Sequence, residues 1–254
     1  MSAAVPWYFL PQFRPARLQD CVFWLEADSF NGGVWRNLAP NFSDRNHGTA
    51  HGGVGLFTWH PQFPPAPTFD GVNDYVEVPD DDSLDITEEG TLMCWFKALT
   101  NNVIQGLISK QKTDIGYTTP YALRLYNDQF AIRLGDGSEL QDVKYTGVDT
   151  NKWYLFAGTW DGTNIRLFVN GELKKVDSQN LTPYINTASL KIAVEGPLNQ
   201  LPFRGIIDEV RIYKAALTPA EVMHNYTHHP LYYLQRGIDP YEVIAAATAA
   251  APSI

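Results

Sequence analysis

Along most of this chain apolar residues alternate with polar ones, and each run stops at Gly, Pro, Asn or Asp. That period of two is the signature of half-buried strands closed by turns. YVEVP from Tyr75, LKIAV from Leu190 and IIDEVRIY from Ile206 read this way, while CVFWLEA from Cys21, the strongly apolar TLMCWFKAL from Thr91 and LQDVKY from Leu140 read as further strands. YALRLY and QFAIRL form a hairpin across Asn127-Asp128. The best-specified stretch is residues 153–176, where Asp161-Gly162 and Asn170-Gly171 separate three apolar runs with dipeptides suited to tight turns. A first turn centred on Gly162 sets Leu155, Ala157 and Thr159 opposite Val169, Leu167 and Ile165, an aliphatic face that reads as core. The other face then carries Tyr154, Phe156 and Trp160 beside Phe168, Arg166 and Asn170.

Helical signals are confined to the end of the chain. In Thr218-Pro219-Ala220-Glu221 the threonine caps, the proline suits the first helical position, and the glutamate closes a capping box. The helix so begun is short, reaching about Tyr226. Asp239-Pro240-Tyr241-Glu242 repeats the signal before VIAAATAAA, whose small side chains suit a docking tail better than a domain. Residues 1–19 read as an extended arm. Pro6, Pro11 and Pro15 deny it a helix, while Trp7, Tyr8, Phe9 and Phe13 are too apolar to lie free in solvent. The expected organisation is an arm at 1–19, an all-β sandwich at 20–226 and a docking tail at 227–254.

At 254 residues the chain is long enough for a sizeable core, and 19% charged content places it among globular proteins. A net charge of −9 without a cluster of Lys or Arg excludes nucleic acid as a partner. No apolar run approaches the length of a membrane span. The N-terminus does not read as an export signal, its apolar run being cut by Pro6 and Pro11, so none is expected. Cys21 and Cys94 both sit in apolar runs, which leaves buried thiols and a disulfide as alternatives.

Several phrases in order carry a resemblance: WRNLAPNFSDRNHGTAHGGV, FDGVNDYVEVPDDDSLDI, TLMCWFKA, WYLFAGTWDGTNIRLFVNGELKK and FRGIIDEVRIYKAALTPAEV. Over residues 20–226 the chain resembles the laminin-G-like, concanavalin A-like lectin and glucanase domains. The resemblance implies a two-sheet antiparallel jelly-roll sandwich whose members bind carbohydrate or protein, many of them with calcium. Asp70 and Asp208 match positions where the family's acids recur, and oxygen ligands suit that ion. Against this, Asp70 reads equally as a turn-former, and Asp208 as a partner of Arg204 or Arg211.

Other site chemistry is sparse. Glycoside hydrolysis needs two carboxylates placed across a bond. Glu26-Ala27-Asp28 lacks the third acid of the glucanase motif, and Asp208-Glu209, being adjacent on a strand, should face opposite sides. Residues 77–89 hold seven carboxylates and no base, reading as a solvated loop or a cation site. His47 and His51 lie in a Gly-rich loop, and His228-His229 reads as exposed tail. Tyr126, Trp160 and Tyr184 are the aromatics considered for sugar stacking, without a ligand assigned. The expected function is a non-enzymatic jelly-roll module of a larger assembly, a phage or viral particle, made in the host cytoplasm and displayed on the virion surface. Capsid or tail proteins would then hold it through Trp7, Tyr8, Phe9, Phe13, Tyr241, Val243 and Ile244, and host glycans would be contacted outward. The alternative is an extracellular lectin-like module, with calcium as its one candidate cofactor.

Overall fold

A computed structural model describes residues 13–112, 118–196 and 198–250. The first strands in chain order are β1 (Cys21–Glu26), β2 (Phe30–Asn31), β3 (Val34–Trp35), β4 (Gly48–His51), β5 (Gly55–Phe57) and β6 (Ala66–Asp70). Next come β7 (Tyr75–Val78), β8 (Gly90–Ala98), β9 (Ile104–Ser109), β10 (Tyr121–Tyr126), β11 (Gln129–Gly135) and β12 (Leu140–Thr146). The last are β13 (Trp153–Trp160), β14 (Asn164–Val169), β15 (Glu172–Ser178), β16 (Leu190–Ile192) and β17 (Arg204–Tyr213). The described α-helices, α1 (Pro219–Thr227), α2 (Pro230–Leu234) and α3 (Pro240–Ala250), all follow the last strand.

Pairing is antiparallel throughout. One sheet runs β15-β14-β13-β8-β17-β6-β5 and the other β12-β11-β10-β9-β16-β7-β4-β3-β2. Strand β17 is shared: β8 lies along one side, while β6 and then β1 divide the other. Between the sheets lie Phe23, Leu92, Cys94, Phe96, Leu123, Ile132, Phe156, Leu167 and Ile212, all fully buried. Cys21 and Cys94 are free buried thiols, and burial pushes Cys21 up to about 12.

The strands at 153–176 form as the pattern indicates, but one residue out of the expected register. Trp160 pairs with Ile165 and Phe156 with Val169. The reason is local. Asp161 Oδ1 accepts from the Thr163 and Asn164 amides (2.9 and 2.7 Å), closing a four-residue turn where a tighter one was expected. Tyr154, Phe156 and Trp160 therefore face the sandwich core beside Ile165, Leu167 and Val169, while Leu155, Ala157 and Phe168 face outward. Both faces are apolar because both are covered, so hydrophobicity alone did not choose between the registers.

The outer cover is a third layer made by the chain ends. Met93, Trp95, Leu155, Phe168 and Tyr213 are buried beneath Phe13, Leu217, Val222, Tyr226 and Leu231. The Trp95 ring is stacked by Tyr226 at 5.6 Å and His229 at 4.9 Å. The arm lies along α1: the Ala16 amide donates to Asn225 Oδ1 (2.8 Å), and Phe13 packs edge-on against Tyr233. Val243 and Ile244 are half-buried against the same cluster, whereas Tyr241 is exposed. The described parts of both ends thus spend most of their apolar surface on their own sheet, Ile238 and Tyr241 excepted. That removes the reason for sending Phe13, Val243 and Ile244 to neighbouring subunits. Trp7, Tyr8 and Phe9 lie outside the described residues.

Both expected helix starts form. Thr218 and Glu221 make the capping box, and the Tyr241 amide donates to Asp239 Oδ1 (2.8 Å). Helix α2 is the unexpected one, capped by His229, whose Nδ1 accepts from the Leu231 amide (3.2 Å).

Candidate functional site

The two acids considered for calcium are not brought together. Arg204 pairs with Asp70 in register. Asp208 lies four residues further along β17, roughly 13 Å at strand rise. Asp70 is an exposed turn-former: Oδ1 accepts from the Val72 and Asn73 amides (2.8 and 3.3 Å), bonds that hold its carboxyl below the ordinary range. Asp208 is fully buried, and its partners are neither Arg204 nor Arg211 but Trp59 and His229.

Part of the acidic run at 77–89 is neutralised from within the protein. The Lys110 side chain is fully buried, and its Nζ donates to Asp80 Oδ1 (2.6 Å) and the Asn186 carbonyl (2.7 Å), with Asp85 Oδ1 at 3.4 Å. An ammonium group occupies the oxygen-lined position that the sequence offered to a metal ion. His47 and His51 are likewise structural: β4 runs through 48–51, His47 Nδ1 accepts from the Asn37 amide (3.1 Å), and His51 stacks on Tyr75.

A denser cluster lies beneath α2 on the outer face of the first sheet. The register of β17 against β8 shifts between Ile207 and Glu209, so Asp208 is the extra residue of a β-bulge. The bulge turns Asp208 and Glu209 to the same side, contrary to simple alternation, and Glu26 of β1 pairs with Glu209 across the ladder. His229 Nε2 lies 3.2 Å from Asp208, 3.9 Å from Glu209 and 4.0 Å from Glu26. It is a buried residue rather than exposed tail. Arg211 pairs with Glu209, Trp24 Nε1 donates to Glu209 Oε1 (2.8 Å), and Trp59 Nε1 donates to Asp208 Oδ1 (3.0 Å).

Glu26, Asp208 and His229 are close enough together to hold an ion. The tautomer argues otherwise. With Nδ1 accepting from an amide, the ring hydrogen of a neutral His229 sits on Nε2, the atom a metal would need bare. Burial also keeps the carboxylates from water, so protons take the place of counterions. Desolvation, reinforced by Glu209 and Asp208, raises Glu26 well above its ordinary value. Desolvation likewise raises Asp208 to about 7 and lowers His229 to about 3.

The sign of the resulting pH dependence follows by linkage. Asp208 holds a proton in the folded state that the unfolded chain releases, so its contribution falls as pH rises from its ordinary 3.8 to about 7. His229 does the reverse, its contribution falling as pH drops from 6.5 to about 3. Between those limits the two nearly offset, since each state keeps one proton. Glu26 has no such counterweight, so stability should fall as pH climbs above 4.5. Glu26→Gln is expected to flatten that decline and to raise stability at pH 8 by about 1–3 kcal/mol. Urea denaturation of both proteins at pH 5 and 8 checks it; an unchanged slope would contradict the protonated-cluster account.

An accessible groove lies elsewhere. A groove of about 420 Å³ opens between the end of β12, the β14–β15 turn and helices α1 and α2. Tyr145, Asn170, Lys174, Tyr226, Tyr232 and Arg236 line it. The positive φ of Asn170 (53°) and Gly171 (79°) folds β15 back tightly enough to leave this opening, and Gly171 lies against Met223 of α1. Lys174 Nζ bonds Glu172 Oε2 (2.6 Å) and stands 6.0 Å from the Tyr145 ring. Arg236 lies over Tyr232 at 3.8 Å and reaches the Tyr226 hydroxyl at 3.5 Å. None of the three aromatics considered from sequence belongs here. Trp160 is core, Lys144 covers Tyr126 at 3.7 Å, and the Tyr184 hydroxyl donates to the Thr118 carbonyl (2.7 Å). The lining of this groove comes from a strand end, a turn and two helices distant in sequence, and only the Asn-Gly turn marked any of it.

Residues 70–223 match the sequence model of the concanavalin A-like lectin/glucanases superfamily. The chain belongs to this superfamily. No curated protein sequence matches it at a significant level. Among solved structures it is similar to domain 4 of AbnA, a GH43 extracellular arabinanase from Geobacillus stearothermophilus, in complex with arabinotriose. The identity is 19%, the match covers 82% of this chain and 98% of that one, and the TM-score is 0.65. It is also similar to the binding domain of Paraclostridial Mosquitocidal Protein 1 (17% identity, 83% and 52% covered, TM-score 0.66). A third likeness is to the binding domain of botulinum neurotoxin DC in complex with rat synaptotagmin II (15% identity, 85% and 52% covered, TM-score 0.62). The chain spans about half the length of these toxin domains, and at such identities the likeness carries the superfamily's fold alone.

Proposed function

We propose that this chain is a non-catalytic, glycan-binding jelly-roll module that holds saccharide in the groove beside α1 and α2. The observation that carries this reading is a contrast in access. The convergent carboxylates Glu26, Asp208 and Glu209 are sealed beneath the tail, too close together and too dry for the two-acid chemistry of glycoside hydrolysis. The open groove instead offers tyrosine rings with cationic and amide groups, the mixture that places and orients a small polar ligand. The similar fold solved in complex with arabinotriose supports the same class of ligand.

The test is a broad glycan array followed by calorimetry on the best saccharide. Tyr145→Ala is expected to weaken binding about tenfold or more while leaving the melting temperature unchanged, since the ring is partly exposed at the rim. Full affinity in that variant would remove the groove from consideration. Incorporation into a larger assembly, a virion included, is a finer proposal supported by Ile238 and Tyr241, apolar side chains left exposed on the tail. Glycan recognition does not depend on it.

A further inference from the structure

We infer that the groove selects acidic saccharides, with Arg236 receiving the sugar carboxylate and Tyr145 taking the face of its ring. The inference rests on the glycan reading above and specifies its ligand. Its starting point is the pairing of charge across the surface. Most cations of this acidic chain are matched: Arg133 by Asp142, Arg166 by Asp161, Arg211 by Glu209 and Lys110 by Asp80. Arg236 is an exception. Its partners are rings, Tyr232 beneath the guanidinium and the Tyr226 hydroxyl at its edge, and no carboxylate of the described residues pairs with it.

Such stacking fixes the plane of the guanidinium, and with only Nη1 turned to the Tyr226 hydroxyl the other donors of its fork stay open. A planar carboxylate is the group that fork matches, through two parallel charge-assisted hydrogen bonds. Lys174 adds a second cation to the same lining, against the single carboxylate of Glu172. The groove is therefore locally basic on a protein of net charge −9. At physiological salt, repulsion from the acidic groups elsewhere is screened over about 8 Å, so the local pair governs what binds. Tyr226 is itself held, its hydroxyl donating to Gln235 Oε1 (2.9 Å) and its ring stacking on Trp95. The arginine thus rests on a pedestal anchored in the third layer.

The experiment is titration calorimetry with a glucuronic-acid tetrasaccharide and its carboxyl-reduced, neutral counterpart, at two salt concentrations. The acidic form is expected to bind roughly tenfold tighter or more, with the margin shrinking as salt rises. Arg236→Gln should bring the two sugars to parity, Arg236→Lys should restore only part of the margin, and Tyr145→Ala should weaken both sugars alike. Arg236 is exposed, so its variants are expected to melt with the native protein. Equal affinity for both sugars, still lost on Tyr145→Ala, overturns the acidic selectivity and leaves the glycan groove standing. A margin that survives Arg236→Gln overturns the role of Arg236. Failure of both sugars, together with a silent glycan array, overturns the selectivity and the glycan reading together.

Discussion

A chain ended after Thr227 is expected to keep its sandwich but to lose a large part of its stability, not merely its tail. Residues 228–250 contribute Leu231, the His229 ring on Trp95 and the half-buried Tyr232, Tyr233, Val243 and Ile244 to the cluster over the outer face of the first sheet. At about 25 cal/mol per Å² of apolar surface, returning these side chains and the sheet beneath them to water costs on the order of 5 kcal/mol or more. In a domain of this size that is a fall in melting temperature of roughly 10–20 °C. Trp24, Trp95 and Met93 would also be uncovered together, an apolar patch that invites association. Circular dichroism melts and binding of a hydrophobic dye to the truncated protein make the comparison. A monomeric product melting within a few degrees of the whole chain would falsify the third layer as a structural element. The apolar ends suggested attachment to other subunits, because a strand-by-strand reading leaves the outer face of a sheet to solvent. Here that face is a second core.

Lys110→Ala is the other substitution with a large expected effect. The ammonium group is wholly enclosed, and its removal strands Asp80, Asp85 and the Asn186 carbonyl around a space with no positive charge. Lys110 is buried but Asp80 is open to water, so breaking the pair is expected to cost about 2–3 kcal/mol, less than for a pair buried on both sides. Truncating the side chain adds a cavity between β9 and the loop after β7. Because the stranded groups are oxygens, millimolar calcium is expected to return part of the loss in Lys110→Ala and none in Lys110→Met, whose side chain fills the space. Chemical denaturation with and without the ion provides the measurement. A loss below about 1 kcal/mol would show that Asp80 and Asp85 are satisfied by water instead.

Much of the fold could be read from the sequence because its strands announce themselves locally. IIDEVRIY has a period of two, CVFWLE and TLMCWFKA are short apolar runs buried on both faces, and Asp-Gly or Asn-Gly closes the hairpins. What stayed hidden depends on residues meeting across the chain. The register at 153–176 turned on which amides the Asp161 carboxylate would accept. The convergence of Glu26, Asp208 and Glu209 required a bulge that no residue in IIDEV advertises. Lys110 reaches the acidic run from a different strand, so the run looked unpaired. The groove is assembled by a strand end, a turn and two helices, and the start of α2 at His229-Pro230, a histidine cap before a first-turn proline, read as exposed tail.

The pairing of β1 with β17 also sets an order of events. Cys21 and Tyr213 are neighbours in the first sheet although almost the whole chain separates them. During synthesis, β1 must wait for nearly every other strand before its partner exists, and the cover for Trp24 and Trp95 is made later still. Such long-range closure makes for slow folding and prolonged exposure of sticky surface. Maturation of this protein should therefore be limited by its final segment, and a ribosome stalled before α2 would hold a sandwich built but not yet sealed.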